Sequence, residues 1–289
     1  MDRDERLSRV LEQLLGAVPQ SWAPLAGGDI NDAYRVGLAD GRVVFIKTNS
    51  VAPLGLFGAE SAGLRWLRDA GGVRIPAVLA VRDESPALLV LEYLRPGRQQ
   101  RDFHVRLGVG LAALHRSGAP SWGWHRDNFI GTLPQANRPW PSWSEFFLHE
   151  RLEPQLRRAV ELNRVTKRLR SRFASLLERL SEFLPDLAVP DRVHGDLWAG
   201  NLHVDEQGAP VLIDPAPYGG HGEVDLAMMH LFGGFDAEVF AAYHRCIPAD
   251  EGVVERRAIY QLYPLLVHVN LFGSSYLPGI EQRLRQLGF

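Results

Sequence analysis

Three oxygen-bearing side chains carry the clearest chemistry in this sequence. Asp196 lies in the run Val193-His194-Gly195-Asp196-Leu197-Trp198-Ala199-Gly200-Asn201, with Asn201 five residues further on and Asp214 eighteen residues after it, in Val211-Leu212-Ile213-Asp214-Pro215. Phosphoryl transfer from a nucleotide needs one carboxylate to orient and deprotonate an attacking hydroxyl. It also needs an oxygen-only donor set to hold Mg²⁺ against the phosphates. Asp196 fits the first task, and Asn201 with Asp214 fits the second. An Asp is too weak a base to ionise an alcohol in advance, so its main service is orientation, with the proton accepted late.

Convergence of these groups requires a specific local fold. Two apolar runs, Asn201 to Val204 and Pro210 to Ile213, flank the turn residues Glu206-Gln207-Gly208. That pattern predicts a short hairpin with all three polar side chains at one end.

A phosphate-binding element is expected upstream. Leu25 to Val36, which includes Gly27, Gly28, Asp29 and Asn31, reads as a glycine-bearing turn leading into a strand. The Asp40-Gly41 step then marks a hairpin back through Arg42 to Lys47. Backbone N–H groups of such a turn can lie over phosphates. Lys47 and Lys167 are the only lysines in a chain that otherwise uses Arg for its basic side chains. A compact ammonium on the strand after the turn suits a site between phosphates. Glu60, on the next helical pattern, is placed to pair with it. Pro76 to Val81 and Ala87 to Leu91 read as two further strands, the second running through Glu92, Tyr93 and Leu94 into a Pro-Gly breaker. Backbone groups at such a junction can face adenine.

Downstream the periodicity is helical. Phe103, Leu107, Leu111 and Leu114 share a face behind Asp102 as N-cap, with His115 in the last turn as a capping or core residue. Ser142 and Glu145 form a capping box ahead of a helix bent near Pro154. Between these helices, Trp122 to Gly131 is a loop dense in aromatic and polar residues that either caps a core or lines a cleft. Trp198 offers an apolar face to the C–H surface of a sugar. Glu223 and Asp225 open a helix, where acidic residues ordinarily complement the dipole.

Composition narrows the classes. With 289 residues the chain can bury a sizeable core in one large domain or two lobes. Its 32 basic and 34 acidic residues leave no basic face for nucleic acid. The single cysteine, Cys246, excludes an internal disulfide and fits a reducing compartment. No apolar stretch approaches the roughly twenty residues that a bilayer demands. A cytoplasmic protein without membrane or nucleic-acid partners is the expectation; oligomeric state is not legible.

Taken together, the sequence resembles the fructosamine kinase (ketosamine kinase) family, which shares the protein-kinase-like fold of aminoglycoside phosphotransferases and choline kinases. The resemblance covers nearly the whole chain. It rests on Gly27 to Tyr34, Phe45-Ile46-Lys47, Trp124 to Pro134, Trp143 to Phe147, His194 to Asn201, Leu212 to Pro215 and Glu223 to Ala227. Leu231 to Phe235, Tyr260 to Tyr263 and Asn270 to Gly273 extend it. Two departures stand out: many members carry Cys in the glycine turn where this chain has Asp29, and the aromatic-rich segment usual after the second Asp is represented by Ala216 to His221.

The resemblance implies an α+β, two-lobed protein-kinase-like fold. A small lobe over residues 1–94 would hold an antiparallel sheet and one helix, and a mainly helical lobe would span 95–289. ATP and Mg²⁺ would be the cofactors, with γ-phosphoryl transfer to the 3-hydroxyl of a ketoamine, free or protein-bound. Gly27, Gly28, Asn31, Lys47, Glu60, Glu92, Tyr93 and Leu94 would serve the nucleotide, Asn201 and Asp214 the metal, and Asp196 catalysis. Trp198, with Trp124, Asp127, Tyr218 and Glu223, would face the acceptor.

Two rival readings remain. An aminoglycoside or other small-alcohol kinase would concentrate more carboxylates in the lower lobe than Glu223, Asp225, Asp236 and Glu238 supply. An inactive nucleotide-binding module would normally have lost Lys47, Asp196 or Asp214.

Overall fold

The computed structural model describes residues 3–25 and 31–289. Helix α1 (Arg3–Leu15) precedes strands β1 (Pro19–Leu25), β2 (Asp32–Leu38) and β3 (Val43–Thr48), helix α2 (Leu56–Ala70), and strands β4 (Val78–Arg82) and β5 (Leu88–Glu92). The five strands form one antiparallel sheet in the order β1-β2-β3-β5-β4. Alternation places Val44 and Ile46 of β3 on the face that buries Leu7, Val10 and Leu11 of α1. Lys47, next in register, points to the opposite face, toward α2.

β1 is the strand that pattern reading misses. Pro19 and Pro24 weaken its strand signature, and the edge position it occupies is where proline is tolerated.

The rest of the chain is mainly helical. It runs α3 (Phe103–Arg116), the hairpin β6 (Asn128–Ile130) and β7 (Leu133–Gln135), α4 (Trp143–Phe146), a π-helical turn over Phe147–Leu152, and α5 (Glu153–Glu161). α6 (Lys167–Glu178), α7 (Leu180–Phe183), β8 (Asp191–Val193), β9 (Leu202–Val204), β10 (Pro210–Leu212) and β11 (Tyr218–Gly220) follow. α8 (Glu223–Phe232), α9 (Ala237–Cys246), α10 (Val253–Phe272) and α11 (Leu277–Gln286) complete the chain.

The capping box forms: Ser142 Oγ accepts from the Glu145 amide at 3.3 Å and donates to Glu145 Oε2 at 2.7 Å. Asp102, by contrast, makes no side-chain cap on α3. A π-helical turn lies just ahead of Pro154, which sits in the first turn of α5. β11 pairs antiparallel with β8, Tyr218 opposite Val193.

Apolar packing is continuous across the junction. Phe57, Leu64 and Leu67 of α2 and Leu89 and Leu91 of β5 share a cluster with Leu107 and Leu111 of α3, Leu197, Leu212 and Met229. Among the described residues no helix is long and apolar enough to cross a membrane.

Candidate active site

The hairpin reads as its sequence demands. β9 and β10 pair antiparallel with Leu202 opposite Leu212, and the Ile213 amide donates to the Asn201 carbonyl at 3.0 Å. Asn201 and Asp214 are thereby held side by side. Asn201 Nδ2 donates to the Asp196 carbonyl at 2.7 Å and to Asp196 Oδ2 at 3.1 Å. That use of the amide nitrogen leaves Oδ1 of Asn201 as a hard oxygen with no hydrogen bond among the described residues. Asp214 sits at φ 56°, a left-handed conformation that a non-glycine residue adopts only when its surroundings impose it.

The sheet delivers the cation. Lys47 is buried, with Nζ 2.9 Å from Glu60 Oε1 on α2 and also bonded to Asp214 Oδ1. Burial alone disfavours the ammonium, but the carboxylates of Asp214 and Glu60 outweigh it and hold the lysine above its ordinary pKa. Burial pushes the Glu60 carboxyl up in turn. Asp196 is pushed up to about 7, first by burial and then by the Asp214 charge. Glu60 and Asp214 both bond the one ammonium, and the Asp196 carboxyl lies within reach of its charge, an excess of acidic groups that a divalent cation would offset.

The catalytic loop is fixed from behind. Asp225 of α8 accepts from the His194 amide at 2.7 Å and the Gly195 amide at 2.8 Å, and its Oδ2 lies 3.1 Å from His115 Nε2. The same ring reaches α9 on its other side, with His115 Nδ1 2.8 Å from the Tyr243 hydroxyl. Burial opposes the Asp225 charge, but the His115 bond and the two amides keep its carboxyl below the ordinary range. His194 is itself buried and held neutral: Nε2 donates to the Ile213 carbonyl at 2.9 Å, leaving Nδ1 to accept from the Asp196 amide at 3.3 Å. Gly195 has φ 80°, and a Cβ there would lie 2.1 Å from the Ala216 carbonyl oxygen, so only glycine fits this turn.

Neither Asp225 nor His115 is assigned to the loop by sequence reading. They are 110 residues apart and each resembles an ordinary helix-end polar residue. The Glu223-Val224-Asp225 segment was the available signal, and the structure gives its Asp a positioning role rather than a dipole one.

A second buried polar network holds the chain after Asp214. Asn128 Nδ2 donates to the Pro217 carbonyl at 2.9 Å, and Gln135 Nε2 to the Ala216 carbonyl at 3.1 Å. Asn137 and Gln135 both donate to Asn128 Oδ1 at 2.8 Å.

The other expected site residues divide. Gly27 and Gly28 lie outside the described residues. Asn31 accepts from Asn49 Nδ2 at 3.1 Å. Glu92 turns its side chain back to the Ala77 amide at 2.9 Å and to Arg74, so it contributes at most backbone to a ligand. Strand pairing ends there, and Tyr93 and Leu94 stand outside the ladder, with the Arg35 guanidinium over the Tyr93 ring.

Trp198 is 44% exposed beside Asp196, its ring lying against Gly200. Trp124 and Tyr218 are both buried. Trp124 packs on Trp66 in the core, and Tyr218 is buried beneath the guanidinium of Arg151, 3.9 Å from the ring centre, so neither presents a face to an acceptor. Glu223 is likewise taken up by a two-pronged pair with Arg256, at 2.6 and 2.7 Å. Asp127 is exposed and accepts from the Asn137 amide at 2.8 Å, across the open end of the β6–β7 hairpin.

The chain is similar throughout its length to known proteins. The fructosamine kinase family model matches residues 4–288. A probable ketoamine kinase of Enterococcus faecium is 40% identical over 264 residues, covering 90% of this chain and 93% of that protein. The crystal structure of a "putative fructosamine-3-kinase" from Thermobifida fusca is 36% identical, with TM-score 0.89, covering 97% of this chain and 98% of its own. The choline kinase LicA of Streptococcus pneumoniae shares the fold at 16% identity, with TM-score 0.62 over 99% of this chain and 98% of its own.

Proposed function

We propose, from the premise that the chain belongs to the fructosamine kinase family, that this ATP-dependent phosphotransferase acts on the 3-hydroxyl of a ketoamine such as a fructosamine or ribulosamine. The observation that carries the reading is the meeting of Asp196, Asn201 and Asp214 with the Lys47–Glu60 pair at one place.

Lys47, kept charged and fixed by Glu60, binds the nucleotide phosphates. Asn201 Oδ1 and the Asp214 carboxylate fit Mg²⁺ because they are hard oxygens in a cluster with excess negative charge. When bound, the ion neutralises charge on the phosphates. Asp196 orients the acceptor hydroxyl in line with the γ-phosphate and takes its proton as the new P–O bond forms and the bond to the bridging oxygen breaks, releasing ADP. Asn201 Nδ2 holds the Asp196 carboxylate, and Asp225 with His194 holds the loop that carries it. The backbone of Tyr93 and Leu94 serves adenine, and Trp198 covers the apolar face of the sugar. Transfer to free or protein-bound ketoamines would serve deglycation.

Parallel assays of ATP consumption with a fructosyl-amine and with kanamycin test the substrate. Phosphorylated fructosyl-amine with no product on kanamycin supports the reading. The reverse pattern assigns the chain to aminoglycosides, and ATP binding without any product makes it a nucleotide-binding module.

A further inference from the structure

Two stretches left unused by the transfer chemistry, Leu231 to Phe235 and Asn270 to Gly273, come together on the surface. Phe232 ends α8 and Phe272 ends α10, with His268 one turn earlier on α10 and Tyr276 just beyond it. His268 lies at the centre of the four rings, its centroid 4.7 Å from Phe232, 4.8 Å from Tyr276 and 5.5 Å from Phe272. Phe232 is 36% exposed and Phe272 51%. His268 Nδ1 donates to the Pro264 carbonyl at 2.8 Å, and burial keeps its ring neutral, so the rings form an uncharged surface. A contiguous exposed aromatic surface of this kind ordinarily marks a binding site.

Its neighbour is the catalytic loop. Gly234, two residues after Phe232, abuts Ala199 so closely that a Cβ on it would stand 2.6 Å from the Ala199 Cβ. Ala199 follows Trp198, whose exposed ring flanks Asp196. The end of α8 that carries Phe232 therefore rests against the loop that carries Trp198 and Asp196.

We infer that the rings of Phe232, His268, Phe272 and Tyr276 form a specificity subsite for an apolar substituent, aryl or extended alkyl, on the ketoamine nitrogen. The inference rests on the ketoamine reading above. Ketoamines share their sugar end and differ in the amine. With the sugar hydroxyl at Asp196 and the sugar face on Trp198, the variable arm has this ledge beside it.

The test is kcat/KM for fructosyl-amines bearing N-methyl, N-hexyl or N-benzyl groups. Wild-type enzyme should favour the benzyl over the methyl compound by about tenfold, the scale of one ring contact with its buried area. Phe232→Ala and Phe272→Ala should draw that ratio toward one. Val254→Ala, at an exposed apolar position at the far end of α10, should leave it in place. A ratio near one in the wild type, or one that neither Phe variant alters, overturns the subsite while leaving the kinase reading intact. Absence of product on all three compounds overturns both. Sedimentation of the same proteins adds one more decisive outcome: a dimer that Phe272→Ala dissociates, with the acceptor ratio unchanged, would assign the surface to a second copy of the chain.

Discussion

Glu60 on α2 holds Nζ of Lys47 on β3 at 2.9 Å, in a pocket where neither side chain is more than 13% exposed. The pair joins α2 to the strand that carries the ammonium proposed to bind phosphate. An ammonium so placed is fixed before the nucleotide arrives, which is how fixed charge lowers a barrier at little reorganisation cost. Lys47→Ala should therefore lower kcat/KM for ATP by roughly two to three orders of magnitude. Glu60→Ala should lower it less, because Asp214 still holds the lysine. Steady-state kinetics at saturating acceptor checks the order of the two effects; equal or negligible losses would contradict it.

Asp225 supports the loop without touching the reacting atoms. Asp225→Asn keeps its size but sets an amide against two backbone N–H groups and a histidine. Leaving such buried donors unpaired costs about 2 kcal/mol. Thermal unfolding should drop by about 5 °C, with kcat reduced more than KM because the carboxylate of Asp196 loses its aim. An unchanged melting temperature would show that the loop holds itself.

Much of this arrangement is legible in the order of the amino acids alone. Asp196, Asn201 and Asp214 fall within one short stretch whose hairpin follows from local pattern, and Lys47 stands out in a chain of arginines. The rest depends on contacts between distant segments. Asp225 and His115 look like helix-end residues until folding brings α3 against α8. Trp124 and Tyr218 look like cleft aromatics because both sit in irregular segments, yet packing against Trp66 and Arg151 removes them from solvent. β1 hides behind two prolines that only an edge position accommodates.

His221 gives the fold a readable pH dependence. Burial is the main cause that brings its pKa down to about 4, and the nearby Glu223 charge only partly opposes this. The unfolded imidazole titrates near 6.5. Its contribution to stability is therefore complete above about pH 6.5 and is lost as the pH falls toward 4, on the order of 3 kcal/mol. Denaturant unfolding at pH 7.5 and 4.5 should show a smaller loss on acidification in His221→Gln than in the wild type. Parallel losses would place the acid sensitivity elsewhere.

The most direct measurement is transfer itself with the acceptor-orienting carboxylate neutralised. Mass-spectrometric product formation from ATP, Mg²⁺ and a fructosyl-amine, with nucleotide affinity measured alongside, compares wild type with Asp196→Asn. Wild-type enzyme should yield phosphorylated ketoamine, and the variant should retain most of its ATP affinity while its turnover falls by about a hundredfold to ten-thousandfold. A variant that turns over at the wild-type rate would contradict the role given to Asp196.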